Sequence, residues 1–139
     1  MPYLIDGSNV LGAQRQSDEA KRALVRSLAS FARAKRTRVT CIFDGVEPPS
    51  FARHLGSVSV VFSGAREADE LIAERASSGR GWSVVTSDRG LAARVQRRQV
   101  EVVTTAAFLR LLEESAGSDE VAHEDWAAYF SDPKNRTEF

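Results

Sequence analysis

Residues 3–12, YLIDGSNVLG, run from a short apolar segment straight into a carboxylate, a glycine and an amide before apolar residues resume. Tyr3–Ile5 has the look of a strand covered on both faces, and Asp6 stands where it stops. The same grammar returns along the chain. Val39–Phe43, Val58–Phe62, Trp82–Thr86 and Val100–Val103 are further runs rich in β-branched and aromatic residues, without polar alternation. That pattern belongs to buried strands of a parallel sheet. Helical patterns separate them. From Asp18 to Lys35, Ala20, Leu24, Leu28, Phe31 and Ala32 share one stripe. Ala65–Ser77, Gly90–Arg98 and Thr105–Ser115 also read as helices. The link from Phe43 to Val58 has room for a loop or a short helix. Strands alternating with helices predict a parallel α/β sheet with helices on both faces.

The 139 residues suit one domain, and an apolar share of 42% beside a charged share of 27% is ordinary for a globular protein. No apolar run reaches membrane-spanning length. Met1-Pro2-Tyr3 leads directly into the first strand, so no signal peptide and a cytoplasmic location are expected. Cys41 is the single cysteine, which excludes an internal disulfide and a cysteine-rich zinc site; within VTCIF it reads as a buried, inert thiol. The net charge is zero, whereas a simple nucleic-acid-coating protein would be basic. The zero conceals a division: residues 1–112 carry 17 Lys or Arg against 11 Asp or Glu, and residues 113–139 carry 2 against 8. The chain is therefore read as a domain over 1–115 and an acidic linker with a short helix or tail over 116–139. In that tail Trp126, Tyr129 and Phe130 have helical spacing and suit a docking contact.

In open parallel sheets, ligands bind beyond the carboxyl ends of the strands. Here Asp6 follows the first strand, Asp44 the second, Glu67, Asp69 and Glu70 the third, and Asp88 the fourth. Each has a simple structural use, as a helix cap or a turn residue. Together they suggest more. With the first strand between the second and fourth, Asp44, Asp6 and Asp88 would stand in a row at roughly 5 Å spacing. Like charges that close need a cation among them, and oxygen-only ligands suit Mg²⁺ or Mn²⁺. On a helix starting at Ala65, Asp69 falls at the edge of the apolar stripe while Glu67, Glu70 and Glu74 fall on the solvated side. Asp69 is thus the inward acid and Glu67 and Glu70 are bystanders. Asn9 would hold Asp6 or a metal-bound water, or else cap a helix. Gly7 permits close backbone approach.

In this order and spacing, YLIDGSNVLG, CIFDG, VVFSGAREADELI and VVTSDRGLAARV resemble the YacP-like NYN-domain proteins, which are PIN-like metal-dependent ribonucleases. The resemblance runs from Tyr3 to about Leu112. It implies a PIN-like three-layer α/β/α domain with a five-stranded, mainly parallel sheet of order 3-2-1-4-5. It also implies an acidic cluster for Mg²⁺ or Mn²⁺, associated with RNA cleavage. Carried over by motif, Asp6 is the central ligand with Asn9 beside it, Asp69 and Asp88 complete the catalytic set, and Asp44 has a weaker claim on the metal. The expected activity is endonucleolytic hydrolysis of RNA phosphodiesters; the alternative is a non-catalytic RNA- or ribosome-binding module of the same fold. Ser8, Ser87, Arg15, Arg53, Arg66 and Arg89 adjoin the four motifs and are the candidate substrate contacts, with Arg94, Arg97 and Arg98 further along one helix. The expected partner is RNA, alone or presented by the ribosome, and the expected state is a monomer or weak homodimer with no membrane association. A receiver-like signalling domain is disfavoured, because the third strand ends in Phe62-Ser63-Gly64 and the fifth in Val103-Thr104, where a phosphoacceptor Asp and a Lys would be required.

Overall fold

The computed structural model describes residues 2–78, 81–96 and 100–116. Strand β1 (Tyr3–Asp6) passes directly into the short helix α1 (Gly7–Leu11). There follow α2 (Asp18–Lys35), β2 (Val39–Phe43), β3 (His54–Leu55), β4 (Val58–Phe62), α3 (Ala68–Ser78), β5 (Ser83–Val85), α4 (Arg89–Val95), β6 (Glu101–Val103) and α5 (Thr105–Ala116). The tail after Ala116, with Trp126, Tyr129 and Phe130, lies outside the described residues, as do Arg97 and Arg98.

The sheet has six strands in the order β3-β4-β2-β1-β5-β6. This corrects the five-stranded sheet of order 3-2-1-4-5 expected from the sequence. The link after Phe43 supplies neither a plain loop nor a helix but an edge strand, β3, paired antiparallel to β4 through His54–Ser59 and Leu55–Val58. The sheet is therefore mixed. Two residues are too few to show any hydrophobic period, so this strand left no pattern to read. The other pairings are parallel, and β1 lies between β2 and β5.

Two apolar layers hold the sheet. On one face α2 and α5 bring Leu24, Leu28, Phe31, Phe108 and Leu112 against Ile5, Cys41, Phe43 and Val85. On the other, Ile72, Ala76, Leu91 and Val95 of α3 and α4 pack on Leu4, Ile42 and Val84. Every second residue of β1 thus serves the opposite layer, as strand alternation requires. Helix α2 begins and ends where the sequence predicts. Ser17 accepts from the Ala20 N–H at 3.1 Å, Asp18 and Glu19 occupy the first turn, and Arg33 and Lys35 the last.

Gly7 has a packing reason. A Cβ there would lie 2.6 Å from Phe43 Cε1 and 2.7 Å from Cys41 Sγ. The missing side chain lets the backbone turn from β1 into α1 directly against β2, so the close approach anticipated at Gly7 is to protein. Cys41 is fully buried, and burial, followed by the nearby Asp6 carboxylate, pushes its thiol pKa well up, which leaves it an inert core group.

Candidate functional site

Beyond the carboxyl ends of β1, β2 and β5 lies a cavity of about 660 Å³. Among the described residues, five carboxylates line it: Asp6, Asp44, Glu67, Asp69 and Asp88. Ser8, Asn9 and Gln16 supply further polar walls.

Asp6 sits deepest, only 7% exposed. Its Oδ1 caps α1 by accepting from the Asn9 N–H at 3.2 Å, and its Oδ2 lies 3.4 Å from the Thr86 hydroxyl. Its pKa is pushed up to about 6, first by burial and then by the Asp44 and Asp88 charges, against the two hydrogen bonds that favour the carboxylate. Asn9 turns its side chain across to β5. Its Oδ1 accepts from the Ser87 N–H at 2.6 Å and lies 3.5 Å from the Thr86 hydroxyl. The Thr86 hydroxyl, buried with its residue, in turn accepts from the Asp88 N–H at 3.1 Å. Thr86 therefore joins Asp6, Asn9 and Asp88 in one network.

The remaining acids also hold helices. Asp88 caps α4 through the Leu91 N–H at 3.1 Å. Asp44 reaches over 24 residues to cap α3, accepting from the Ala68 N–H at 2.7 Å. Each cap uses one carboxylate oxygen. Ser8 faces Asp44 rather than open space: its hydroxyl accepts from the Asp44 N–H at 2.9 Å. Ser87 turns its hydroxyl away to Thr105, 2.7 Å distant.

Asp69 is different. It is half-buried on the first turn of α3; its Oδ1 is buried with no donor to it among the described residues, and its carboxylate lies within hydrogen-bonding reach of the Glu67 carboxyl. Its Oδ2 is 3.9 Å from the Arg94 guanidinium. Glu67, read from sequence as a solvent-facing bystander, belongs to the cavity wall. Helix α3 starts at Ala68 and not at Ala65, so Glu67 lies in the preceding turn and the helical wheel misplaced it. The Asp69 carboxylate beside it raises its pKa. Gln16 was also missed. Its amide donates to the carbonyls of Ser8 at 3.0 Å and Gly12 at 2.6 Å, closing the far side of α1.

The arginines are less uniformly placed. Arg15 is buried. Arg53 is held by Glu47 at 3.0 Å in an exposed pair, and Arg66 by Glu70 and Glu74. Arg89 opens α4 at the surface beside Asp88.

Among the described residues, no group of three or more His, Cys, Asp or Glu side chains is gathered closely enough to hold a metal ion as it stands. Asp6, Asp44 and Asp88 each turn one oxygen toward a helix N–H. The carboxylates of the cavity nevertheless offer only oxygen ligands, the kind that suits a hard cation.

The YacP-like NYN domain family model matches residues 3–135. The chain belongs to this family, within the PIN-like superfamily. The crystal structure of Rae1 (YacP) from Bacillus subtilis is similar, with a TM-score of 0.71 and 22% identity over 99% of this chain and 88% of that one. Its W164L mutant gives a TM-score of 0.71 and 22% identity over 87% of this chain and 79% of that one. At this identity the likeness carries the fold. No curated protein matches the chain in sequence. As an NYN domain the protein is placed generally among nucleases and RNA-acting proteins. Among the described residues, no helix is long and apolar enough to cross a membrane.

Proposed function

We propose that the protein is a metal-dependent endoribonuclease acting at the acidic cavity, with Asp6, Asp69 and Asp88 as ligands of Mg²⁺ or Mn²⁺, Asn9 as their organiser and Asp44 as a weaker contributor. The observation that carries this reading is the crowding, among the described residues, of five carboxylates on one cavity, with Asp69 Oδ1 buried in its wall. A bound divalent ion would supply a more acidic water and neutralise charge on the scissile phosphate. The chain's own residues do the rest. Asn9 and Thr86 fix the Asp6 carboxylate to the end of β5, and the cap at Asp88 fixes a second acid beside it. The raised pKa of Asp6 makes it ready to exchange a proton for a cation near neutral pH. The proposed phosphate contacts are Arg89, exposed at the start of α4, with Ser8, Ser87, Arg15, Arg53 and Arg66. The nuclease domain is assigned to residues 1–115, with 116–139 an acidic linker and tail. The substrate is RNA, free or presented by the ribosome, and the protein acts in the cytoplasm as a monomer or weak homodimer.

The test is cleavage of end-labelled RNA by the purified protein in Mn²⁺, Mg²⁺ or EDTA, beside Asp6→Asn and Asp88→Asn. Internal cuts that need metal and disappear in both variants are expected. Cutting that persists in EDTA or in both variants overturns the assignment. RNA binding without cutting, on free RNA and on ribosome-bound mRNA alike, would instead make the domain a non-catalytic RNA-binding module.

A further inference from the structure

A second concavity lies at the opposite end of the sheet. It measures about 670 Å³ and is lined by Arg26, Arg33, Arg36 and Arg38 together with small residues such as Ala29 and Gly56. No Asp or Glu is among the described residues that line it. All four arginines are exposed. Arg26 and Arg33 come from one face of α2, a spacing of seven residues, and they also make contacts within the chain. Arg36 and Arg38 come from the turn that leads into β2.

That turn is fixed. Arg36 is the left-handed cap of α2, with φ of 52°. Thr37 N–H donates to the Ala32 carbonyl at 3.0 Å, and the Arg38 carbonyl accepts from the Tyr3 N–H at 2.9 Å. On the far wall, the Ser57 carbonyl accepts from the Val39 N–H at 3.1 Å. Four guanidinium groups are thus presented from pinned backbone around a walled groove. Arg36 and Arg38, exposed on one wall, give the groove a positive potential that favours an anion. Guanidinium forks suit phosphate oxygens in particular.

The geometry points to this groove as a binding site for the phosphodiester backbone of RNA, separate from the acidic cavity. The inference rests on the RNA reading above and adds a second point of contact. Arg38 precedes the first residue of β2 and Asp44 follows its last, so five residues of strand, roughly 16 Å, separate the two ends. The acidic cavity repels phosphate until a cation is present; the arginine groove attracts it without one. The groove holds the RNA and the cavity acts on it.

The test is anisotropy of a fluorescein-labelled 20-nucleotide single-stranded RNA across a salt series, in EDTA so that cleavage plays no part. Full-length wild type is compared with Arg36→Gln/Arg38→Gln and with Arg75→Gln, which removes a charge from α3 on the other face of the sheet. Losing two phosphate contacts should lower the log–log salt slope by about 1.4 and weaken binding at low salt. Arg75→Gln should change neither measurably. A double variant with the wild-type slope and affinity, or an equal loss in Arg75→Gln, overturns the proposal. So does displacement of the RNA by a polyglutamate peptide at lower charge concentration than by unlabelled RNA, which would assign the groove to an acidic protein. Because the readout is independent of metal, failure here leaves the nuclease assignment standing, and the converse also holds.

Discussion

The side-chain carbonyl of Asn9 accepts a hydrogen bond from the Ser87 backbone N–H at 2.6 Å, tying the first motif of the chain to the fourth across 78 residues. The same bond joins the Asp6 and Asp88 sides of the cavity, whose strands are already paired in parallel. Asn9→Ala removes the acceptor and leaves the Ser87 N–H to find another partner. We predict a loss of about 1 kcal/mol in stability and a fall of tenfold or more in RNA cleavage. Asn9→Asp keeps the acceptor but adds a charge to a cavity already lined by five carboxylates. It should bind Mn²⁺ and yet be less stable than wild type without metal. Urea denaturation with and without Mn²⁺ separates the two variants.

Gly7 is a packing requirement. A methyl group at this position must move Phe43 or Cys41, both fully buried. Gly7→Ala should cost about 1–3 kcal/mol, read as a lower denaturation midpoint with an unchanged slope. An unchanged midpoint would mean that α1 can shift away from β2 freely.

The raised pKa of Asp6 makes a pH prediction of definite sign. An Asp has an ordinary value near 3.8, and the folded protein holds this one at about 6. Between those values the folded state binds more protons than the unfolded state, so its contribution to stability falls as pH rises through the window. The metal-free protein should lose roughly 2–3 kcal/mol between pH 4 and pH 7 from this group. Asp6→Asn should flatten the profile and be more stable than wild type at pH 7 in EDTA. Melting curves at four or five pH values decide it; a wild-type profile that rises over the same range contradicts the burial account.

Asp44 offers a way to part structure from chemistry. Its carboxylate caps α3 through the Ala68 N–H. Asp44→Ala should cost about 1 kcal/mol, whereas Asp44→Asn can still cap and should cost a few tenths at most. A large fall in cleavage by a fully stable Asp44→Asn protein would raise Asp44 to a metal ligand. Near-normal cleavage would leave it a cap.

What could be read from sequence follows the range of the interaction. Helix α2 is encoded locally, in the Ser17 cap, the acidic first turn and a stripe that repeats over 18 residues. The acids at the strand ends were visible because parallel strands carry their functional residues at one edge. The β3 edge strand was not visible, being two residues long with both side chains exposed. Glu67 was misplaced by a helix start set three residues too early. Asp44 capping a helix 24 residues away, and Asn9 reaching Ser87, are non-local bonds between polar groups that have plausible local partners in sequence. The arginine groove joins the end of α2 to the β3–β4 turn, and only the three-dimensional arrangement brings Arg36 and Arg38 beside Gly56 and Ser57.

The central claim is that the acidic cavity holds a divalent cation through Asp69 and Asp6. Calorimetric titration of Mn²⁺ into the metal-free protein at pH 7.5 tests it most directly, with Asp69→Asn as the variant and Glu70→Gln, outside the cavity wall, as the control. Saturable binding by wild type and Glu70→Gln, weakened tenfold or more in Asp69→Asn, is the predicted result. Equal affinity in all three proteins, or no binding by a folded wild type, would contradict it.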